Sequence, residues 1–126
     1  MATSTKARKA KGRSGQQEIR DMFLEAFPEL EAGDVRSTSM GASGVDIIFS
    51  PKAKRLIPLS VEVKRRKDYK TQYALLEQAE RNDGTRPVAF FRGDRKPWLV
   101  LLEADYFMEL IKNGRTNSKS TTSKDG

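Results

Sequence analysis

The sequence predicts an α/β fold, a mixed sheet of five strands flanked by helices in the order α-βββ-α-ββ-α. Apolar residues recur at helical spacing in three segments, and short β-branched or apolar runs fill five others. Gly, Pro, Asn and Asp punctuate the joints between them. At 126 residues the chain fits one domain, and 37% hydrophobic content is enough for a small core.

Residues 1–12 are mostly Ala, Thr, Ser, Lys and Arg without apolar periodicity, and read as a disordered basic arm. Ser14, with Gln17 and Glu18 behind it, is an N-cap signal. Ile19, Met22, Phe23, Ala26 and Phe27 then form one helical face, and Pro28 ends it. Val35–Ser39 is a short strand leading into the loop Met40–Gly44. Val45–Phe49 is a β-branched, apolar strand, Pro51–Arg55 a basic turn, and Leu59–Val63 alternates as a strand does. Tyr69–Arg81 is the second helix, with Tyr73, Leu76 and Ala79 on its face, closed by Asn82–Asp83–Gly84. Pro87–Phe91 and Trp98–Leu102 are strands joined by the turn Gly93–Lys96. Asp105 caps a last helix with the face Phe107, Leu110 and Ile111. The folding unit is expected over 13–113, with 114–126 a frayed tail rich in Asn, Ser, Thr and Lys.

Composition narrows the chemistry. There is no Cys, which excludes a disulfide framework, a thiolate zinc site and a thiol nucleophile. There is no His, so no serine–histidine triad and no imidazole base. No run approaches the roughly eighteen apolar residues of a membrane span, and the N-terminus lacks a signal-peptide stretch. A soluble intracellular protein without membrane association is the expectation. With 24 Lys and Arg against 17 Asp and Glu, the net charge of +7 makes a polyanion the leading partner.

The charge is concentrated. Residues 1–13 carry Lys6, Arg8, Lys9, Lys11 and Arg13 with no acid. Residues 52–70 carry Lys52, Lys54, Arg55, Lys64, Arg65, Arg66, Lys67 and Lys70 against Glu62 and Asp68. A solvated face explains one such run; two runs beside a pattern of acids within apolar strands favour nucleic acid.

That pattern is Asp46 in Val45–Phe49, and Glu62 and Lys64 in the next strand, two apart and so on one face. Pairing the strands about the basic turn near Lys54 and Arg55 sets Asp46 opposite about residue 62 to 64. Converging carboxylates call for a cation between them, and oxygen donors without Cys or His select Mg²⁺, with Mn²⁺ able to substitute. Such an ion activates water for attack on a phosphodiester, and Lys64 can stabilise charge developing on the phosphate. Taken singly, Asp46 also suits a turn cap after Gly44, Glu62–Lys64 a surface pair, and Glu18 a solubilising helix residue.

Lys11–Gly12–Arg13–Ser14–Gly15 leading to Glu18, then Val35–Arg36–Ser37, Ser39–Met40–Gly41, Gly44–Val45–Asp46 and Val61–Glu62–Val63–Lys64, together resemble the PD-(D/E)XK nuclease superfamily. Within it the likeness is to archaeal-type Holliday junction resolvases and their phage relatives, from about Lys11 to Ile111. The resemblance implies a restriction-endonuclease-like core, Glu18, Asp46 and Glu62 as metal ligands, Lys64 as catalytic lysine, and Ser39 as a serine near the scissile phosphate. It further implies a homodimer that cuts four-way DNA junctions without a small-molecule cofactor, in a cytoplasm that is the host's if a phage encodes the chain. Val45, where the superfamily's motif has Pro, is a departure. Phosphate contacts would come from the arm (Lys6, Arg8, Lys9, Lys11, Arg13), Arg36, Lys52, Lys54, Arg55, Arg65, Arg66 and Lys67. Alternatives are a nuclease of nicking, repair or restriction type, and a non-catalytic DNA-binding module on the same fold.

Overall fold

In a computed structural model the chain is mixed α/β. The structure describes residues 5–38 and 45–125, with side chains over 14–38 and 45–114. These residues form four α-helices and two antiparallel sheets of two strands each. The chain divides into two compact units, residues 1–65 with 115–126, and residues 66–114.

The first unit holds nearly all of the buried apolar side chains. Helix α1 (Thr5–Ala26) turns Phe23 and Phe27 inward, one turn apart on the same face. After a 3-10 turn (Ala32–Asp34), β1 (Val35–Ser37) pairs with β2 (Ile47–Phe49) in the register Val35↔Phe49, Arg36↔Ile48, Ser37↔Ile47. Alternation buries Val35, Ile47 and Phe49 against α1 and turns Arg36 and Ile48 outward. Phe23 meets Phe49 edge-on, ring centres 5.2 Å apart at 89°, the arrangement aromatic quadrupoles favour.

Helix α2 (Pro51–Leu56) replaces the expected basic turn. Its start is well specified: the Ser50 hydroxyl accepts from Ala53 N at 3.1 Å, and Pro51 stands at the first position. Ala53 and Ile57 are buried below, a two-residue apolar face too short to show as periodicity. Asp34 organises this corner. Its Oδ2 accepts from Glu31 N at 2.8 Å, its Oδ1 from the Ser50 hydroxyl at 2.7 Å, and its carbonyl from Ser50 N at 2.8 Å.

The expected strand Leu59–Val63 forms no ladder, so the described residues contain four strands rather than the five of one sheet. The reason is local. Asp46 N donates to the Val61 carbonyl at 2.9 Å, but the next donor, Val63 N, is taken by the Asp46 side chain at 2.6 Å rather than by a main-chain carbonyl. A side-chain acceptor halts the repeat that a ladder requires.

In the second unit, α3 (Lys70–Ala79) packs on β3 (Val88–Phe91), which pairs with β4 (Leu99–Leu102) from Val88↔Leu102 to Phe91↔Leu99. Leu75, Leu76 and Ala79 are the half-covered side chains of α3, whereas Tyr73 is exposed. Arg86 ties the entry to β3 to the start of α4 (Ala104–Asp125), reaching Glu103, Asp105 and Glu109 and stacking on Tyr106. Asp105 lies in the first turn of α4 rather than at its cap. On that helix Met108 is the buried residue and Leu110 points outward, unlike the expected face.

Two boundaries also differ from expectation. α1 begins at Thr5, within the stretch composition marks as an arm, and Ser14 lies inside the helix rather than capping it. α4 runs to Asp125, through the stretch read as a tail. For α1 the reason is propensity: Ala, Lys and Arg are good helix formers, so lack of an apolar face does not by itself stop a helix; the Asn-, Ser- and Thr-rich extension of α4 has no such explanation.

Candidate functional site

The expected catalytic and metal-binding residues Glu18, Asp46, Glu62 and Lys64 fall around the segment Val61–Arg65, within the first unit. Asp46, at the entry to β2, is fixed by its main chain on both sides. Its N–H donates to Val61 O, and its carbonyl accepts from Thr38 N at 3.0 Å and from the Thr38 hydroxyl at 3.3 Å. With its Oδ2 on Val63 N, Asp46 brackets Glu62 between its two bonds to that segment. The residues facing Asp46 are thus 61 to 63, one step from the expected 62 to 64. The cause is a chain reversal containing α2 in place of a plain hairpin turn.

Val61 and Val63 are half-covered, while Glu62 and Lys64 stand out in solvent. Lys64 Nζ lies 3.3 Å from Glu62 Oε1, with each side chain more than half exposed. On the covered side, α1 comes close at Gly15, where an added Cβ would meet Arg65 Cβ and Val63 Cγ1, each at 3.6 Å. Glu18, one turn further along α1, reaches Arg65 Nη1 at 3.9 Å. Alternation along the segment therefore associates Glu18 with Val63 and Arg65, and sets the Glu62–Lys64 pair on the other side. Among the described residues no three acidic side chains gather into one metal-holding cluster. What converges is Asp46 with the Glu62-x-Lys64 element, and Glu18 approaches through Arg65.

The cations expected on phosphate are spread more widely. Arg36 points outward from β1, and Lys54 and Arg55 are exposed on α2. Lys52 Nζ donates to the Glu29 carbonyl at 3.0 Å. In the second unit Arg66 lies over the Tyr69 ring at 5.6 Å, and Lys67 is exposed. Ser39 lies outside the described residues, and so do the side chains of Lys6, Arg8, Lys9, Lys11 and Arg13, whose backbone is the first half of α1.

The site also has a residue that sequence reasoning passed over. Gly15 lets α1 approach Val63 and Arg65, and a glycine inside a helical pattern is the signal that could have marked it. Asp34 stays ionised to lower pH than usual. The Glu31 N–H bond is the main cause, followed by the Ser50 hydroxyl bond; partial burial opposes them, and the nearby Lys52 charge adds a smaller lowering.

No protein-family model, curated protein or solved structure matches this chain. Among the described residues no helix is long and apolar enough to cross a membrane.

Proposed function

We propose that the chain is a metal-dependent DNA endonuclease that hydrolyses phosphodiesters in branched DNA, with the four-way junction as its substrate and a homodimer as its working form. The observation that carries the reading is the pinning of Asp46 beside Glu62-x-Lys64 by the bonds to Val61 and Val63. On this reading the mixed α/β chain is a reduced form of the restriction-endonuclease-like core.

The donors suit a hard cation, since Mg²⁺ is commonly held by one or two carboxylates plus water rather than by a full protein cage. Asp46 and Glu62 would hold it, and the bound ion would supply Lewis-acid activation of a water near neutral pH, while Glu18 stays with Arg65 on the other side of the segment. The remaining work belongs to the side chains. Lys64 sets a positive charge beside Glu62, where a phosphate entering the site loses negative repulsion. The bond from Val63 N leaves Asp46 fixed in orientation. Arg36, Lys52, Lys54, Arg55, Arg65, Arg66 and Lys67, with the cations of α1, supply phosphate contacts that read shape and charge rather than base sequence. Ser39 would stand near the scissile phosphate.

The test is cleavage of a synthetic four-way junction with Mg²⁺, with linear duplex and flap substrates alongside. Junction cleavage that is lost with chelator and in Glu62→Gln is the expected result. Equal cleavage of all three substrates would assign a nicking, repair or restriction-type nuclease instead. The non-catalytic reading is favoured by one observation, that Glu62 is ion-paired with Lys64 and Asp46 is bonded to Val63 N. It predicts metal-independent junction binding, without cleavage, that is indifferent to Glu62→Gln.

A further inference from the structure

The β3–β4 hairpin carries an exposed strip that the nuclease reading does not use. In its register Phe90 faces Val100, and Arg92 and Trp98, two residues further along each strand and just beyond the last pair Phe91↔Leu99, continue the same side by alternation. Phe90 is 69% exposed, Trp98 63% and Val100 50%, an unusual loss of apolar burial in one place. The Arg92 guanidinium lies 5.9 Å from the Trp98 ring centre, held there by a bond from its Nε to the Lys96 carbonyl at 2.9 Å. The turn beyond carries Arg95 and Lys96 against the single acid Asp94.

We propose that this strip is a stacking platform for unpaired nucleotides, with Trp98 and Phe90 receiving bases and Arg92, Arg95 and Lys96 the adjoining phosphates. Charge decides between occupants. A second copy laid face to face would bring its own surplus of cations against this one, whereas a polyanion neutralises them. Unpaired nucleotides combine that charge with flat apolar faces, and base–aromatic stacking reinforced by Arg is their usual mode of capture. The proposal rests on the reading that the partner is a nucleic acid, but needs neither metal nor cleavage.

Trp98 is the chain's one tryptophan, so its fluorescence reports on this strip alone. The experiment titrates the full chain, in chelator, with a short oligothymidine and with an abasic oligomer of equal length and charge. Saturable quenching by oligothymidine, with clearly weaker binding of the abasic strand, is expected. Trp98→Leu and Phe90→Leu, which keep apolar bulk but remove the aromatic face, should each weaken oligothymidine binding roughly five- to hundredfold by anisotropy. Equal affinity for the two oligomers in the wild type, or unchanged affinity in both Leu variants, would overturn the platform. So would a dimer in sedimentation that leaves the Trp98 emission blue-shifted and the oligomer unable to quench it, since the strip is then a contact between copies. Junction cleavage is scored separately: its absence with quenching intact defeats the nuclease reading alone, and its presence without quenching defeats the platform alone.

Discussion

Replacing Asp46 by Asn and by Ala separates what this residue does for the fold from what it does for chemistry. Its Oδ2 accepts the Val63 N–H at 2.6 Å in a half-covered setting, a bond to a charged acceptor worth about 1.5–3 kcal/mol. The amide oxygen of Asn can accept the same hydrogen bond without the charge, so Asp46→Asn should retain about half of that stabilisation. Asp46→Ala leaves the Val63 N–H without its acceptor and should cost about 1–3 kcal/mol. The main-chain bonds to Val61 and Thr38 survive in both variants. Urea unfolding should therefore rank wild type above Asn above Ala, with unchanged slopes. If the proposed metal role holds, junction cleavage should instead fall to background in both, because neither an amide nor a methyl group replaces the charge a carboxylate brings to a divalent ion. If Asn and Ala are equally destabilised, the bond to Val63 does not carry the assigned weight. If Asp46→Asn still cleaves, Asp46 is a structural residue and no metal ligand.

Three further outcomes follow from the packing. Phe23→Ala removes a ring that is 2% exposed and set edge-on against Phe49, which should cost about 3–5 kcal/mol in denaturant unfolding. Gly15→Ala should stabilise by about 0.5–1 kcal/mol, because Gly15 is inside α1 and the new methyl would sit at ordinary contact distance from Val63 and Arg65; a loss of stability would show that the approach has no room for it. Because hydrogen bonding lowers the folded-state pKa of Asp34, its stabilisation is present above the ordinary value of about 3.9 and is lost as pH falls through the lowered one. Asp34→Asn should accordingly flatten the decline of stability below about pH 4, and an unaltered acid limb in pH-dependent unfolding would contradict the assignment.

Much of the element order was legible because it depends on short-range patterns. The Ile19–Phe27 periodicity, the β-branched Val45–Phe49 run and the Pro87–Phe91 and Trp98–Leu102 runs each record which face must leave water, and α1, β2, β3 and β4 lie where those patterns fall. Counting across a short reversal set Asp46 opposite 62 to 64, and its bonds reach Val61 and Val63, one step away. Helix α2 hid behind its charges, because its stability comes from the Ser50 cap and two buried residues rather than from a repeat.

Other features depended on contacts between distant residues, to which no local pattern is sensitive. Whether Leu59–Val63 joins a ladder turned on one choice of acceptor, the Asp46 carboxylate in place of a main-chain carbonyl. The company of Glu18 turned on which side of the segment α1 approaches, and that followed from Gly15 closing on Val63 and Arg65. The exposure of Phe90 and Trp98 was hidden too, since an apolar run looks the same in sequence whether tertiary packing covers it or leaves it open. Composition by itself determined that this is a basic chain without imidazole or thiol chemistry. Only the tertiary structure decided the partners of its acids, the Val63 N–H for Asp46, Lys64 for Glu62 and Arg65 for Glu18, because side-chain contact is a property of packing and hydrogen-bond competition, not of spacing along the chain.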